Sequence, residues 1–164
     1  MLSALLVSLI LTQGQPKIPT EINQFAFWLG KWKCNGTLYL GKPPKEVTTP
    51  GENEVTTDMD GFVIHEHFRS GPTRGESWSS YNPSQKKWHQ TWVDNQGGYL
   101  ALTGEFKNGK MVLNRPASPK NPATYFHMVY SKITKDSFDW DWEQTQDGGK
   151  TWTPSWHLHY TRVD

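Results

Sequence analysis

The sequence predicts an all-β fold: a closed up-and-down antiparallel β-barrel of about ten strands, with one short N-terminal helix near the barrel mouth. Three observations predict it. Aromatic residues make up 13% of the chain and nine of them are Trp, a composition that suits pleated, half-buried strands. Turn formers are dense, with 14 Gly and 11 Pro, and they leave runs of common strand length between them. Within those runs large apolar and polar residues alternate with a period of two, as in FDWDWE over residues 138–143, so one face of each strand is apolar. A long antiparallel meander has exposed edges unless it closes, which favours a barrel over the alternative, a sandwich.

The chain begins with an apolar run, LSALLVSLIL over residues 2–11, followed by Thr12, Gln13 and Gly14. The run has the length of a signal-peptide core and is too short to span a bilayer. No Lys or Arg precedes it. The expectation is a signal peptide over residues 1–14, a linker over 15–20 and a single β-barrel domain over 21–164. Such a protein is secreted or periplasmic, without stable membrane insertion. At 164 residues the chain suits one domain with a real core. Its formal charge of +1 offers no footprint for nucleic acid. Cys34 is the lone cysteine, so no intrachain disulfide can form.

Residues 21–29 read as the helix. Ile22, Phe25, Ala26 and Leu29 fall at i, i+3, i+4 and i+7, Thr20 is placed to cap the start, and Gly30 ends it. Strands follow over 32–40, 53–57 and 62–69, the first two separated by a Pro-rich connection over 41–50. The stretch 76–106, ESWSSYNPSQKKWHQTWVDNQGGYLALTGEF, reads as three strands joined by turns at 81–84 and 94–98. An Asn-Gly turn at 108–109 leads to a strand over 110–115. Residues 116–122, PASPKNP, exclude a central strand and read as a rim or lid loop. Strands over 123–133, 137–145 and 151–163 complete the set.

Trp88, Gln90 and Trp92 share one strand face by their spacing. If the turn pairs Asp94 with Tyr99, Trp92 lies opposite Ala101. On that register Glu66, Glu76, Gln90, Tyr99, Thr103, Glu105, Arg115 and Arg162 lean inward, with Phe138, Trp140, Trp142, Trp156, Leu158 and Tyr160. His157 and His159 then face outward. Several polar groups in one interior imply water or a ligand, because unpaired buried charge is costly.

The segments FWLGKW (27–32), WHQTWVD (88–94) and DGGKTW (147–152) resemble an uncharacterised, mostly bacterial family of calycin-like barrels. That family is distantly similar to lipocalins, fatty-acid-binding proteins and nitrobindins. The resemblance implies a barrel of about ten strands with an internal pocket and no established reaction. It marks Glu66, Trp88, Gln90, Trp92, Asp94, Trp142 and Arg162 as recurrent positions. Residues 29–36 match the nitrobindin opening only in part, because Lys33 and Cys34 interrupt its glycine pattern.

Two other patterns bear on chemistry. TQDGGKTW (145–152) fits an Asp-box, which in a single copy means a capped hairpin and carries no glycosidase chemistry. His65-x-His67 and His157-x-His159 each present two imidazoles on one strand face. Both pairs are assigned outward and lack a fixed third ligand, so no metal is expected, and His65, His67, His157 and His159 stand as the alternative metal set. Nucleophile elbow, P-loop, dinucleotide fingerprint and HExxH are all absent from the sequence. The reading is an exported barrel binding a small, partly apolar molecule without a cofactor. Glu66, Trp88, Gln90, Trp92, Tyr99, Arg115, Trp142 and Arg162 are its ligand-binding residues. The alternative is a barrel enzyme of hydrolase or isomerase type using an interior carboxylate and Arg; a haem- or metal-binding barrel is the third reading. Oligomeric state is not legible in the sequence.

Overall fold

The structure is a computed structural model that describes residues 17–41, 45–115, 117 and 119–163. The signal-peptide reading over 1–14 lies outside the described residues. So do Pro116 and Ser118 of the expected rim loop.

Among the described residues, eleven strands form one antiparallel sheet: β1 (Gly30–Leu40), β2 (Lys45–Thr48), β3 (Gly51–Asp58), β4 (Val63–Ser70), β5 (Thr73–Asn82), β6 (Lys87–Asp94), β7 (Tyr99–Lys107), β8 (Lys110–Arg115), β9 (Tyr125–Ser131), β10 (Ser137–Thr145) and β11 (Thr153–Arg162). Each strand from β3 to β10 pairs with the next in sequence, and β1 closes the ring against β11 from Trp32↔Arg162 to Leu38↔Trp156. On its other side β1 pairs with β3 at Cys34↔Gly51 and with β2 at Thr37↔Thr48. Both pairs belong to one register, so β2 and β3 are two pieces of a single barrel strand interrupted at Thr49 and Pro50. The result is a closed barrel with ten strand positions. Residues 45–48 lie within the connection expected from the prolines; pairing with the far end of β1 makes them a strand.

The helix is present but tighter than the spacing predicts. It is a 3₁₀ helix over Thr20–Trp28, with three residues per turn rather than 3.6. The buried positions are accordingly Phe25 and Trp28, while Ala26 is exposed. Thr20 does not cap it: Pro19 holds the N-cap, and the Thr20 hydroxyl bonds the Glu21 carboxylate instead. The helix plugs the end of the barrel where β5 turns into β6. Phe25 meets the Trp88 ring edge-on at 4.7 Å and Tyr130 at 5.6 Å, and Trp32 meets Phe138 at 4.9 Å. Edge-to-face rings add to the large apolar area these residues bury. Arg162 seals the plug: its guanidinium lies 4.1 Å from the Trp32 ring centre and donates to the carbonyls of Leu29, Phe27 and Lys135.

Candidate functional site

The opposite end of the barrel is open above a cavity of about 400 Å³. Its walls are Trp92 of β6, Trp140 and Trp142 of β10 and Trp156 of β11, joined by Phe68, Leu100, Met128 and Leu158. Each wall residue sits there because its strand alternates: Trp140 and Trp142 face in while Asp139 and Asp141 face out to His159 and His157. The Trp156 indole is anchored through Nε1 to the Thr49 hydroxyl at 2.8 Å and meets Trp140 edge-on at 5.5 Å. The space thus offers flat aromatic faces of the kind that bind a planar or hydrophobic molecule. A larger groove of about 650 Å³ lies on the outer wall between Lys87, Glu105 and Lys110, but its sides are solvent-facing polar and charged chains rather than an enclosure.

The floor of the cavity is polar. Glu66 is only 7% exposed; its Oε1 accepts from Asn53 Nδ2 at 2.8 Å and its Oε2 from the Ser77 hydroxyl at 2.5 Å. Burial pushes the Glu66 carboxyl up to about 7, against the opposing pull of the Ser77 and Asn53 hydrogen bonds. No cation pairs with it among the described residues. The Tyr130 and Tyr160 hydroxyls share this layer, and burial raises both phenols well above their usual range. Cys34 lies beside Tyr160, and burial lifts its thiol to about 11, so it stays protonated. Asn53 Oδ1 and Gln90 Oε1 are buried acceptors without a donor among the described residues. Such orphans are uncommon and call for a water or ligand proton.

At the rim the Asp94 carboxylate accepts from Trp92 Nε1 at 3.0 Å and from the backbone N–H groups of Gln96 and Gly98. These bonds, the indole first, lower its pKa and fix the Trp92 ring. Arg115, at the end of β8, stands exposed at the same rim. The expected Asp-box forms the β10–β11 hairpin there. Asp147 accepts from the Thr151 hydroxyl and from the backbone of Lys150 and Thr151, and Trp152 stacks on His127.

Of the sequence-predicted ligand residues, Glu66, Trp92, Arg115 and Trp142 line this cavity. Four others do not. Trp88 points inward but is wholly buried in the plugged end, donating to Gln24. Gln90 is 2% exposed and donates to the Ser79 hydroxyl at 2.9 Å, beneath the cavity floor. Arg162 has inward parity yet serves the closed end. Tyr99 is 64% exposed on the outer face. Its error is one of register: Val93, not Asp94, pairs with Tyr99, and Trp92 opposes Leu100 rather than Ala101. Asp94 leaves that ladder to cap the turn, which takes in one residue more than expected. Thr103 and Glu105 turn outward with Tyr99, and Glu105 bonds Lys87 at 2.9 Å. Glu76 is also outside, beside His65. Tyr130 was outside the predicted set because a single buried tyrosine on an apolar strand carries no distinguishing pattern, whereas the alternation of Trp140 and Trp156 did mark them as interior.

The fold and cavity define a closed ten-position antiparallel barrel, plugged at one end and open at the other over an aromatic chamber. The chain belongs to the family described as a protein of unknown function, DUF1579, whose sequence profile matches residues 20–162. Among solved structures it is similar to Rv2717c from M. tuberculosis, with a TM-score of 0.60 at 9% identity, over 90% of this chain and 100% of that one. It is also similar to a protein of unknown function from the DUF3598 family of Nostoc punctiforme, with a TM-score of 0.53 at 16% identity, over 92% of this chain and 53% of that one. At such identities the likeness is one of fold. No curated protein matches the chain.

Proposed function

We propose that this protein is an exported small-molecule-binding barrel of the calycin kind, whose ligand sits in the open aromatic chamber. The observation that carries the proposal is a chamber with four indoles in its walls and, in its floor, a buried carboxyl that pairs with no cation among the described residues. The ligand is small and partly apolar: a planar or hydrophobic body lies between Trp92, Trp140, Trp142 and Trp156, and a hydroxyl or amine reaches Glu66, Tyr130 and Tyr160. The polar contacts for it are Glu66 below and Arg115 at the rim, both among the cavity-lining residues. The volume suits such a molecule, since ligand pockets start at roughly 300 Å³. The apolar run over residues 2–11 supports export.

Titration with 1-anilinonaphthalene-8-sulfonate, an aromatic body with an anionic group for Arg115, tests the proposal. Saturable one-to-one binding with quenched Trp emission is expected, and Leu100→Trp, which fills the chamber, should abolish it. Unchanged binding in that folded variant contradicts the site. A second reading, acid–base catalysis, is favoured by the burial of Glu66 in the cavity floor, which pushes its carboxyl up to about 7, where such a group serves as either acid or base. Conversion of a bound ligand that stops in Glu66→Gln separates catalysis from binding.

A further inference from the structure

We propose that His65, His67 and Glu76 form a binding site for a divalent transition-metal ion on the outer wall of the barrel, apart from the cavity. His65 and His67 occupy one face of β4, and Glu76 lies directly across from His67 on β5. Sequence parity placed Glu76 inside the barrel; its outward orientation is what supplies the third ligand that the histidine pair lacked. Glu76 Oε2 lies 3.1 Å from His65 Nε2 and Glu76 Oε1 lies 3.5 Å from His67 Nδ1. One donor atom from each residue falls within 4.8 Å of the others. Two donors bound to one zinc at about 2.1 Å each are at most about 4.2 Å apart, so a modest rotation of the half-exposed His67 and Glu76 closes the site.

The donor set is two imidazoles and one carboxylate, a combination that suits zinc and its first-row neighbours rather than calcium or magnesium. Three protein ligands on an outer wall leave a position for water. Orientation is partly set in advance: the His65 ring stacks on Trp78 at 4.7 Å, and the two imidazole centres lie 4.1 Å apart. Glu54, across from His67 on β3, is drawn toward Lys31 at 3.9 Å. The other histidine pair shows the contrast. His157 and His159 each engage a separate carboxylate, Asp141 and Asp139, and do not converge.

The test is calorimetric titration of zinc chloride into the full chain, freed of any affinity tag and dialysed against EDTA and then buffer. One zinc per chain is expected, with affinity reduced at least tenfold in His67→Ala and in Glu76→Gln and unchanged in His159→Ala. His67 and Glu76 are chosen because His65 also packs on Trp78, so its loss would disturb the wall; circular dichroism verifies the fold of each variant. No saturable uptake by the wild type, or equal affinity in the wild type, His67→Ala and Glu76→Gln, overturns the proposal, as does an equal loss in His159→Ala.

Discussion

The Glu66 carboxyl and the Ser77 hydroxyl meet at 2.5 Å in the floor of the barrel cavity. Ser77 can donate to the ionised carboxylate or accept from the protonated acid, so the contact survives either state. Asn53 holds the other oxygen at 2.8 Å. A carboxyl buried in this way keeps a proton to a higher pH than it would in water.

Stability should therefore depend on pH through Glu66. Its folded value of about 7 exceeds the ordinary 4.5, so between those values the folded chain holds a proton that the unfolded chain has released. The contribution is fully present below about 4.5 and is lost as pH rises through 7. Glu66→Gln removes this dependence. In urea unfolding, the variant should gain on the wild type by about 3 kcal/mol at most between pH 4.5 and pH 8. A difference that stays flat across that span contradicts the assignment.

Phe25 anchors the plug, fully buried against Trp88, Tyr130 and Trp28. Phe25→Ala should cost about 3–5 kcal/mol by emptying packed volume. Chemical denaturation measures it; a loss below about 1 kcal/mol would mean that the helix is dispensable to the barrel.

Arg162 donates to the carbonyls of Phe27, Leu29 and Lys135 at the closed end. Arg162→Lys keeps the charge but loses the fork that serves three carbonyls, so it should destabilise by about 1–3 kcal/mol. Probe affinity should not change. A selective loss of affinity, with stability intact, would return Arg162 to the site.

Gly75 gives the Trp92 indole its place: a Cβ there would lie 2.1 Å from the ring. Gly75→Ala should displace the indole and cost about 1–3 kcal/mol, with probe affinity falling alongside. Unaltered Trp emission and affinity would show that Trp92 is not held as described.

Much of this was legible in the residues. The alternation in β10 and β11 oriented Phe138, Trp140, Trp142, Trp156, Leu158 and Tyr160 inward, and the structure agrees because bulky aromatics on one parity admit one orientation. Trp92 and Trp142 were legible as inward-facing for the same reason. Tyr99, Thr103 and Glu105 were not, because one residue of turn length inverts a whole strand, and Asp94 used its carboxylate to lengthen that turn. Trp88 and Trp92 share a face, so their sequence spacing could not tell plug from chamber. That distinction depends on which end the helix closes. The same holds for Arg162, whose parity is interior but whose partners are helix carbonyls. Glu76 was misplaced because β5 buries Gly75, Ser77 and Ser79, small residues that give no apolar signal of the inner face.

Binding of a small molecule in the open chamber can be read from the indole N–H resonances of the nine Trp residues. In two-dimensional ¹H–¹⁵N spectra, assigned by single Trp→Phe variants, 1-anilinonaphthalene-8-sulfonate should shift Trp92, Trp140, Trp142 and Trp156. Trp28, Trp32 and Trp88, at the plugged end, should stay in place. Shifts confined to the plugged end or to Trp78 on the outer wall, or no shifts at saturating probe, would mean that the chamber does not bind it.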